Sequence, residues 1–498
     1  MKLQAGLLLL GATPSLAAAF PSTTNGDNYR PLVNSKPYQD LITTEGLMGN
    51  LETLDAIAKA NGGNRAFGFP GYKASVDYIL SRTQNSSNFI TYVQDFPALW
   101  FQVKSISFKV DNQSYWVVGP TYSPSTSAEG LTAPLVLGVN GPEGCTNEAY
   151  ADLDVKDKIV LVQRGACPDG TTVAGRIKPA AAAGAIAVIA YSDLTTKVTG
   201  VTLQNPGPEF VPAGYINKVD GEALKARLDI GESIDAYFQH TQIIETKITQ
   251  NVFTETKEGD PTNVIMFGAH LDSVQAGAGI NDDGSGTSLI LELKTALEKF
   301  KVKNKVRFAW WGAEENGLLG SKYYTQNLNS TAANNILTYL NFDMVSRGYF
   351  GVFDGDGSTH NLTGPPGSDV IENLFVDDYT KKGINVTAAR FTGGSDYQSF
   401  MNIGKPVGGL HTGTGVEQDP CYHQECDTID NPNPTTLTIN AKAAAHVLSI
   451  LAVKGEQLIP KSPVNSTMFT TRGLVGRDDI AWTEDPSERH LGTCGHNI

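Results

Sequence analysis

The spacing of apolar residues changes character along this chain, and each change marks a different kind of element. Between residues 38 and 83, Leu41, Ile42, Leu47, Leu51, Leu54, Ile57 and Ala58 recur at three- and four-residue steps, which predicts helix, with a second helical piece over 74–80 beyond Gly71. From 89 to 118 the pattern switches to alternation, as in Ile106-Ser107-Phe108-Lys109-Val110 and Tyr115-Trp116-Val117-Val118, and predicts antiparallel strands. Residues 134–139 and 158–165 read as strands, 173–184 as a helix, and 185–191 as a further strand. No cluster of His or carboxylates accompanies them, so residues 121–239 read as an inserted accessory domain.

From residue 264 onward, strands alternate with amphipathic helices. Strands are expected over 264–269, 306–311, 336–342 and 406–410. Helices are expected on the face Leu289, Ile290, Leu293, Leu297 and Phe300, and over 318–327, 370–381 and 437–453. This alternation predicts an α/β fold, a mixed sheet with a mostly parallel centre flanked by helices. Sites in such sheets form beyond the carboxyl ends of the strands. His270, Glu314, Glu315 and Asp343 all fall at those ends.

Those residue types make the position informative. His nitrogen and carboxylate oxygen are zinc donors at roughly 2.0–2.2 Å. His270, Asp282, Glu315, Asp343 and His423 give ligands for two metal ions sharing a bridge: His270, Asp282 and Asp343 on one, Asp282, Glu315 and His423 on the other. Each ion keeps a position open for substrate and water, which marks a hydrolase. Asp272 is expected to accept the second ring N–H of His270 and fix its tautomer. Asp282 sits where a helix cap could stand, with Asp283 or Ser285 able to cap instead. Glu314 is assigned as general base and Tyr422 as a donor to the developing oxyanion. Mn²⁺ or Co²⁺ suit the same donors as zinc.

Composition narrows the setting. A chain of 498 residues, 40% hydrophobic and 18% charged, suits a globular protein of more than one domain. Its formal charge of −14 argues against nucleic-acid or membrane partners. Lys2, the apolar run Leu7 to Leu10 and small residues up to Ala19 read as a signal peptide over 1–19. No later stretch reaches about 18 uninterrupted apolar residues. Residues 20–35 are polar and turn-rich, a propeptide or loose arm. Residues 36–120 then read as the first part of the main domain, 240–455 as its catalytic part and 456–498 as a C-terminal extension. The sequons at Asn85, Asn112, Asn329, Asn361, Asn385 and Asn465 fit a secreted glycoprotein, with the vacuolar lumen as the other destination. Cys421 and Cys426 can close a small loop around His423, Cys145 and Cys167 are a second candidate pair, and Cys494 is left over.

At this point the chain resembles the co-catalytic zinc aminopeptidases of the aminopeptidase Y type, which include the secreted fungal leucine aminopeptidases. The matching stretches are Gly268-Ala269-His270-Leu271-Asp272-Ser273-Val274, Gly279-Ile280-Asn281-Asp282-Asp283-Gly284-Ser285-Gly286, Trp311-Gly312-Ala313-Glu314-Glu315-Asn316-Gly317, Asn341-Phe342-Asp343-Met344 and Tyr422-His423. Residues 121–239 resemble the protease-associated domain that this family carries as an insert. The resemblance implies a zinc exopeptidase fold, two Zn²⁺ per chain and release of N-terminal Leu, Lys or other large residues from peptides with a free N-terminus, by a monomer. It also implies that Glu314 and Asp343 can hold the α-amine, and that the loop Gly393-Gly394-Ser395-Asp396 lines a specificity pocket.

Two rival readings share these residues. A carboxypeptidase or glutaminyl cyclase could stand on the same scaffold, but a carboxypeptidase needs Arg for the terminal carboxylate, and only Arg347 and Arg390 accompany the motifs. A non-catalytic, receptor-like ectodomain would be marked by lost ligands, and no ligand position is lost.

Overall fold

Runs of Val, Ile, Phe and Trp that cannot be solvated on either face assemble into one continuous sheet. The computed structural model describes residues 30–195 and 200–463. The expected signal peptide, most of the arm, Asn465 and Cys494 lie outside the described residues.

The chain begins with helices α1 (Ser35–Asp40), α2 (Thr44–Ala60) and α3 (Pro70–Thr83). Then come β1 (Phe89–Val110), β2 (Gln113–Tyr115), β3 (Val117–Val118), β4 (Leu131–Leu137), β5 (Ile159–Gln163), α4 (Ala174–Ala182), β6 (Ala187–Tyr191), β7 (Ala213–Ile216) and α5 (Lys218–Asp229). The remainder runs β8 (Ile234–Thr256), β9 (Asp260–His270), α6 (Gly284–Leu297), β10 (Asn304–Trp311), α7 (Leu319–Asn327), α8 (Ser330–Asn335), β11 (Ile336–Phe342) and β12 (Gly351–Phe353). It closes with α9 (Ser368–Lys381), β13 (Thr387–Ala389), α10 (Tyr397–Met401), β14 (Val407–His411) and α11 (Pro434–Leu458).

Strand β9 is central, parallel to β10 on one side and β11 on the other, and β11 is parallel to β14. Antiparallel pairs of β10 with β8 and β12 with β14 make the sheet mixed. One face is covered by α2, α6, α9 and α11, whose Leu47, Leu51, Leu289, Leu293, Phe375 and Leu448 share a buried core with Phe267 and Leu340. Each such side chain contributes about 1.5–3 kcal/mol by leaving water. Helix α11 meets this core at three- and four-residue steps, with Leu437, Ala441, Ala444, Leu448 and Leu451 fully buried. The opposite face carries Tyr324, Tyr339, Phe353 and Phe400 beneath α7 and α10.

Two differences from the sequence reading have clear causes. The alternating stretch is not a set of short strands: β1 runs unbroken for 22 residues. Its partner β8 runs for 23 residues, and the two pair from Phe89 opposite Thr256 to Val110 opposite Ala236, shifting register between Val103 and Ser105. The middle of β8, Ile243 to Ile248, is exposed or half-buried, so its apolar residues keep no regular alternation. The polar stretch up to residue 35 is also not loose where it is described. Val33 is buried, its N–H donates to Lys301 O at 2.9 Å, and Arg30 pairs with Glu258 at 2.7 Å.

Strands β5, β6 and β7 are mutually parallel and reach the rest of the sheet through β4 and β8. Disulfides join Cys145 to Cys167 beside these strands and Cys421 to Cys426. The sequon residues Asn85, Asn112, Asn329, Asn361 and Asn385 are all exposed.

Candidate metal centre

His270 is the last residue of β9, and its buried ring points over the ends of the neighbouring strands. Its Nε2 lies 3.0 Å from Asp282 Oδ1, 3.6 Å from Asp343 Oδ1 and 4.0 Å from Glu314 Oε2. The second oxygen of Asp282 lies 3.1 Å from His423 Nε2, which is also 3.1 Å from Glu315 Oε2. Asp282 therefore offers one oxygen to each imidazole. The structure brings His270, Asp282, Glu314, Glu315, Asp343 and His423 into one buried cluster.

Local backbone chemistry explains the convergence. Asp283, not Asp282, caps α6, accepting Gly286 N–H at 2.8 Å. It also accepts the N–H groups of His270 at 3.1 Å and Met344 at 3.2 Å, tying three loops together. A side chain at Gly286 would collide with the Phe342 carbonyl, so only glycine lets α6 start this close to β11. Ala313 (φ 57°), Met344 (φ 53°) and His423 (φ 56°) adopt the left-handed conformation, each at or next to a site residue. Strained positions of this kind cluster at functional sites.

The donors fit metal ions. Glu314 Oε1, both Glu315 oxygens, Asp343 Oδ1 and both ring nitrogens of His423 are buried without a hydrogen bond. The 3.1 Å approaches around His423 are thus lone pairs converging on a shared point. Buried carboxylates left unpaired are costly, and cations among them remove that cost. Ligand atoms of His270, Asp282 and Glu315 lie within 4.8 Å of one another, as do those of His270, Asp283 and Asp343. Asp283 already spends its oxygens on backbone N–H groups, so Asp343 is the better donor of the second group.

Taken alone, these side chains are poised to hold protons. Burial pushes Glu315 up to about 7 and Glu314 well above the usual carboxylate range. Burial opposes charge on His423, but Glu315 and Asp282 overcome it and hold the ring at about 10. Burial likewise opposes charge on His270, and the Asp343 and Glu314 carboxylates reverse it and raise the ring well above its ordinary value. Metal ions would displace such protons, as metal binding generally does.

Asp272 departs from its expected part. His270 Nδ1 meets the Asp272 backbone carbonyl at 3.0 Å, while the carboxylate stands off at 3.7 Å. The carboxylate instead accepts the backbone N–H groups of Glu314 at 3.1 Å and Glu315 at 3.3 Å. It lies buried beneath the turn after β10, where those N–H groups need an acceptor. Tyr422 stacks on His423 with ring centres 3.9 Å apart.

The sequence reading overlooked several supporting residues. Arg65 is fully buried and donates to the backbone carbonyls of Leu271, Ala278 at 2.9 Å and Gly279 at 2.6 Å. Asp427 accepts Asn281 N–H at 2.8 Å and Asp282 N–H at 3.0 Å, fastening the Asp282 loop to the disulfide loop of His423. Asp419 accepts from the Asn281 side chain at 2.7 Å. Ser395, expected at a specificity pocket, receives Asn341 Nδ2 at 2.8 Å and donates to Asp343 Oδ2 at 2.6 Å. The one sequence signal was position: Asp419 and Asp427 flank Cys421 and Cys426. Arg65 lies too far away in the chain to have been linked to the metal motifs.

Comparison with known proteins agrees with this geometry. Residues 251–448 match the model of peptidase family M28, and residues 131–224 match that of the PA domain. The chain is similar to leucine aminopeptidase 2 of Arthroderma otae, 35% identical over 94% of both chains. It is also similar to the probable leucine aminopeptidase 2 of Aspergillus fumigatus, 37% identical over 92% of both. Among solved structures, an aminopeptidase from Aneurinibacillus sp. strain AM-1 superposes with a TM-score of 0.72 at 27% identity, covering 87% of this chain and 99% of that one. BSAP, a zinc aminopeptidase from Bacillus subtilis, shares the fold with a TM-score of 0.65 at 23% identity, covering 86% of this chain and 99% of that one.

Proposed function

The chain belongs to peptidase family M28 and is an aminopeptidase, and from that premise we propose a secreted enzyme that removes N-terminal residues, Leu, Lys or other large ones, using two zinc ions. The observation that carries the two-metal reading is Asp282, whose oxygens face His270 at 3.0 Å and His423 at 3.1 Å. His270, Asp282 and Asp343 would hold one ion, and Asp282, Glu315 and His423 the other. When bound, zinc polarises the scissile carbonyl and acidifies a water molecule.

The protein's own groups do the rest. Glu314, buried beside His270, takes the proton of the attacking water and passes it to the leaving amine. Asp272 positions it by holding the N–H groups of Glu314 and Glu315. Tyr422 donates to the oxyanion as the carbonyl becomes tetrahedral. Glu314 and Asp343 also offer acceptors for the substrate's ammonium group, and an acetylated N-terminus lacks both the charge and those donors. Secretion rests on the signal-like residues 1–19 and the exposed sequons. Residues 121–239 are assigned as the PA insert and 240–455 as the catalytic segment.

The test is hydrolysis of aminoacyl-arylamides beside their N-acetylated counterparts, with the zinc content of the same preparation counted. Two zinc ions per chain and cleavage of the free-amine substrates only are expected. Cleavage of the acetylated substrates, or full activity with a single zinc, would sink this reading.

A further inference from the structure

A second cluster of carboxylates lies away from the metal centre, where β12 leaves the sheet. Asp354, Asp356 and Glu372 each place one oxygen so that all three lie within 4.8 Å of one another. Asp354 and Asp356 sit on the loop after β12, and Glu372 projects from α9.

The hydrogen bonds around the cluster divide each carboxylate in two. Asp354 Oδ2 accepts the N–H groups of Thr359 at 3.2 Å and His360 at 2.7 Å. Glu372 Oε2 accepts those of Gly355 at 2.9 Å and Asp356 at 3.0 Å. Asp356 Oδ1 accepts that of Ser358 at 2.7 Å. One oxygen of each residue thus shapes the loop. The independent sign of a ligand is the other oxygen of Asp354: the residue is fully buried, and Oδ1 meets no hydrogen-bond partner. A buried carboxylate oxygen without a donor is expensive, and here its neighbours are more acid. Burial raises the Glu372 carboxyl, and the charged groups acting on it, Asp356 and Asp354, raise it further.

We infer that Asp354, Asp356 and Glu372 form a calcium site that pins the loop after β12 to helix α9. All-oxygen donors from an irregular loop suit a hard cation with flexible geometry. Oxygens sharing a calcium ion bound at about 2.4 Å can stand no more than ~4.8 Å apart, and the three oxygens here lie within that limit. The loop is not an EF-hand, since Glu372 lies far outside a twelve-residue span starting at Asp354. The ion would neutralise three carboxylates and reinforce a junction already made by the Gly355 and Asp356 N–H groups on Glu372. None of these residues belongs to the zinc set, so this site stands or falls separately from it.

The test uses the full zinc-loaded chain, dialysed into calcium-free buffer with trace zinc and titrated with calcium chloride. One calcium ion per chain is expected, with a dissociation constant on the order of 10⁻⁴–10⁻³ M or tighter. The unfolding midpoint should climb with calcium concentration. Asp356→Asn, at an exposed position, and Glu372→Gln, at a half-buried one, should lose the binding and the climb while keeping their zinc. Absence of binding and of any midpoint shift in the wild type up to roughly 10 mM calcium overturns the site. An unchanged calcium response in both variants overturns it as well.

Discussion

The carboxylate of Asp272 receives the backbone N–H of Glu314 at 3.1 Å. The loop after β9 therefore sets where the proposed general base begins, two residues beyond the imidazole that ends the strand. Glu314→Gln keeps the shape and removes the base. It is expected to retain zinc while kcat falls by about 10²–10⁴. Paired zinc analysis and steady-state kinetics check this, and a loss of zinc would recast Glu314 as a ligand.

Asp282 and Ser395 should separate two kinds of metal loss. Asp282→Ala removes the shared carboxylate, and both ions should go together. Ser395→Ala removes only the hydroxyl that orients Asp343 at 2.6 Å. Zinc affinity on that side should weaken by about 10–100-fold. Zinc retained against increasing chelator should show one loss step in the first variant and two in the second.

The disulfide between Cys421 and Cys426 closes a loop in which His423 is held at φ 56°. Cys421→Ser with Cys426→Ser should cost about 2 kcal/mol of stability, since the loop is short. Its larger effect should be at the metal, because His423 is freed to leave the left-handed conformation. Zinc titration of the double variant checks this: unaltered occupancy of both ions would show that Asp427 and Asp419 hold the loop unaided.

Arg65→Met would leave the carbonyls of Leu271, Ala278 and Gly279 without their buried donor. Destabilisation of about 3–5 kcal/mol is expected, as when one partner of a buried charged contact is removed. Arg65→Lys should recover little of it, since an ammonium cannot fork across three acceptors as a guanidinium does. Urea unfolding of both variants is the measurement.

Lys405 gives a pH dependence with a definite sign. Its side chain is fully buried with Nζ on Ser462 O at 2.9 Å, and burial, reinforced by Lys461, lowers it to about 8. An unfolded lysine titrates near 10.4. Between about pH 8 and 10.4 the unfolded chain thus holds a proton that the folded chain has given up, and this contribution to stability rises with pH. Below pH 8 the folded state carries the full cost of the buried charge. Lys405→Met should therefore melt higher than the wild type at pH 7, with the gap closing as pH approaches 10. A gap that is constant with pH would contradict this.

What could be read from the sequence followed burial. Strands β9, β10 and β11 are buried on both faces and appear as unbroken apolar runs, so their ends, and the carboxylates set there, stood out. Glu314-Glu315 at the end of such a run was conspicuous because charge in that position needs a partner. Strand β8 was missed because its middle, Ile243 to Ile248, is exposed or half-buried and carries no period. Asp427 and Arg65 were missed for another reason: their work is done through backbone atoms of distant loops, which leaves no mark on their own surroundings in the chain. Asp272 was found for its spacing from His270, yet its carboxylate serves the turn after β10, a contact only the parallel pairing of β9 and β10 creates.

Strand β8 belongs to two neighbourhoods at once. Near its start, Ile234 to Phe238 pair with β4 and, from Ala236 on, with β1 on the other side, while its last residues, Val252 to Glu255, pair with β10 and β1. The accessory unit is therefore not a bead that can be unstrung. Excision of residues 131–224 would bare one edge of a strand whose far end supports the catalytic sheet, and would uncover Phe108, Ala236 and Phe238. A naked edge of that kind invites chains to join one another. Trimming this enzyme to a minimal catalyst calls for shortening both β1 and β8 back towards Val93 and Val252, so that no half of the ribbon is left behind.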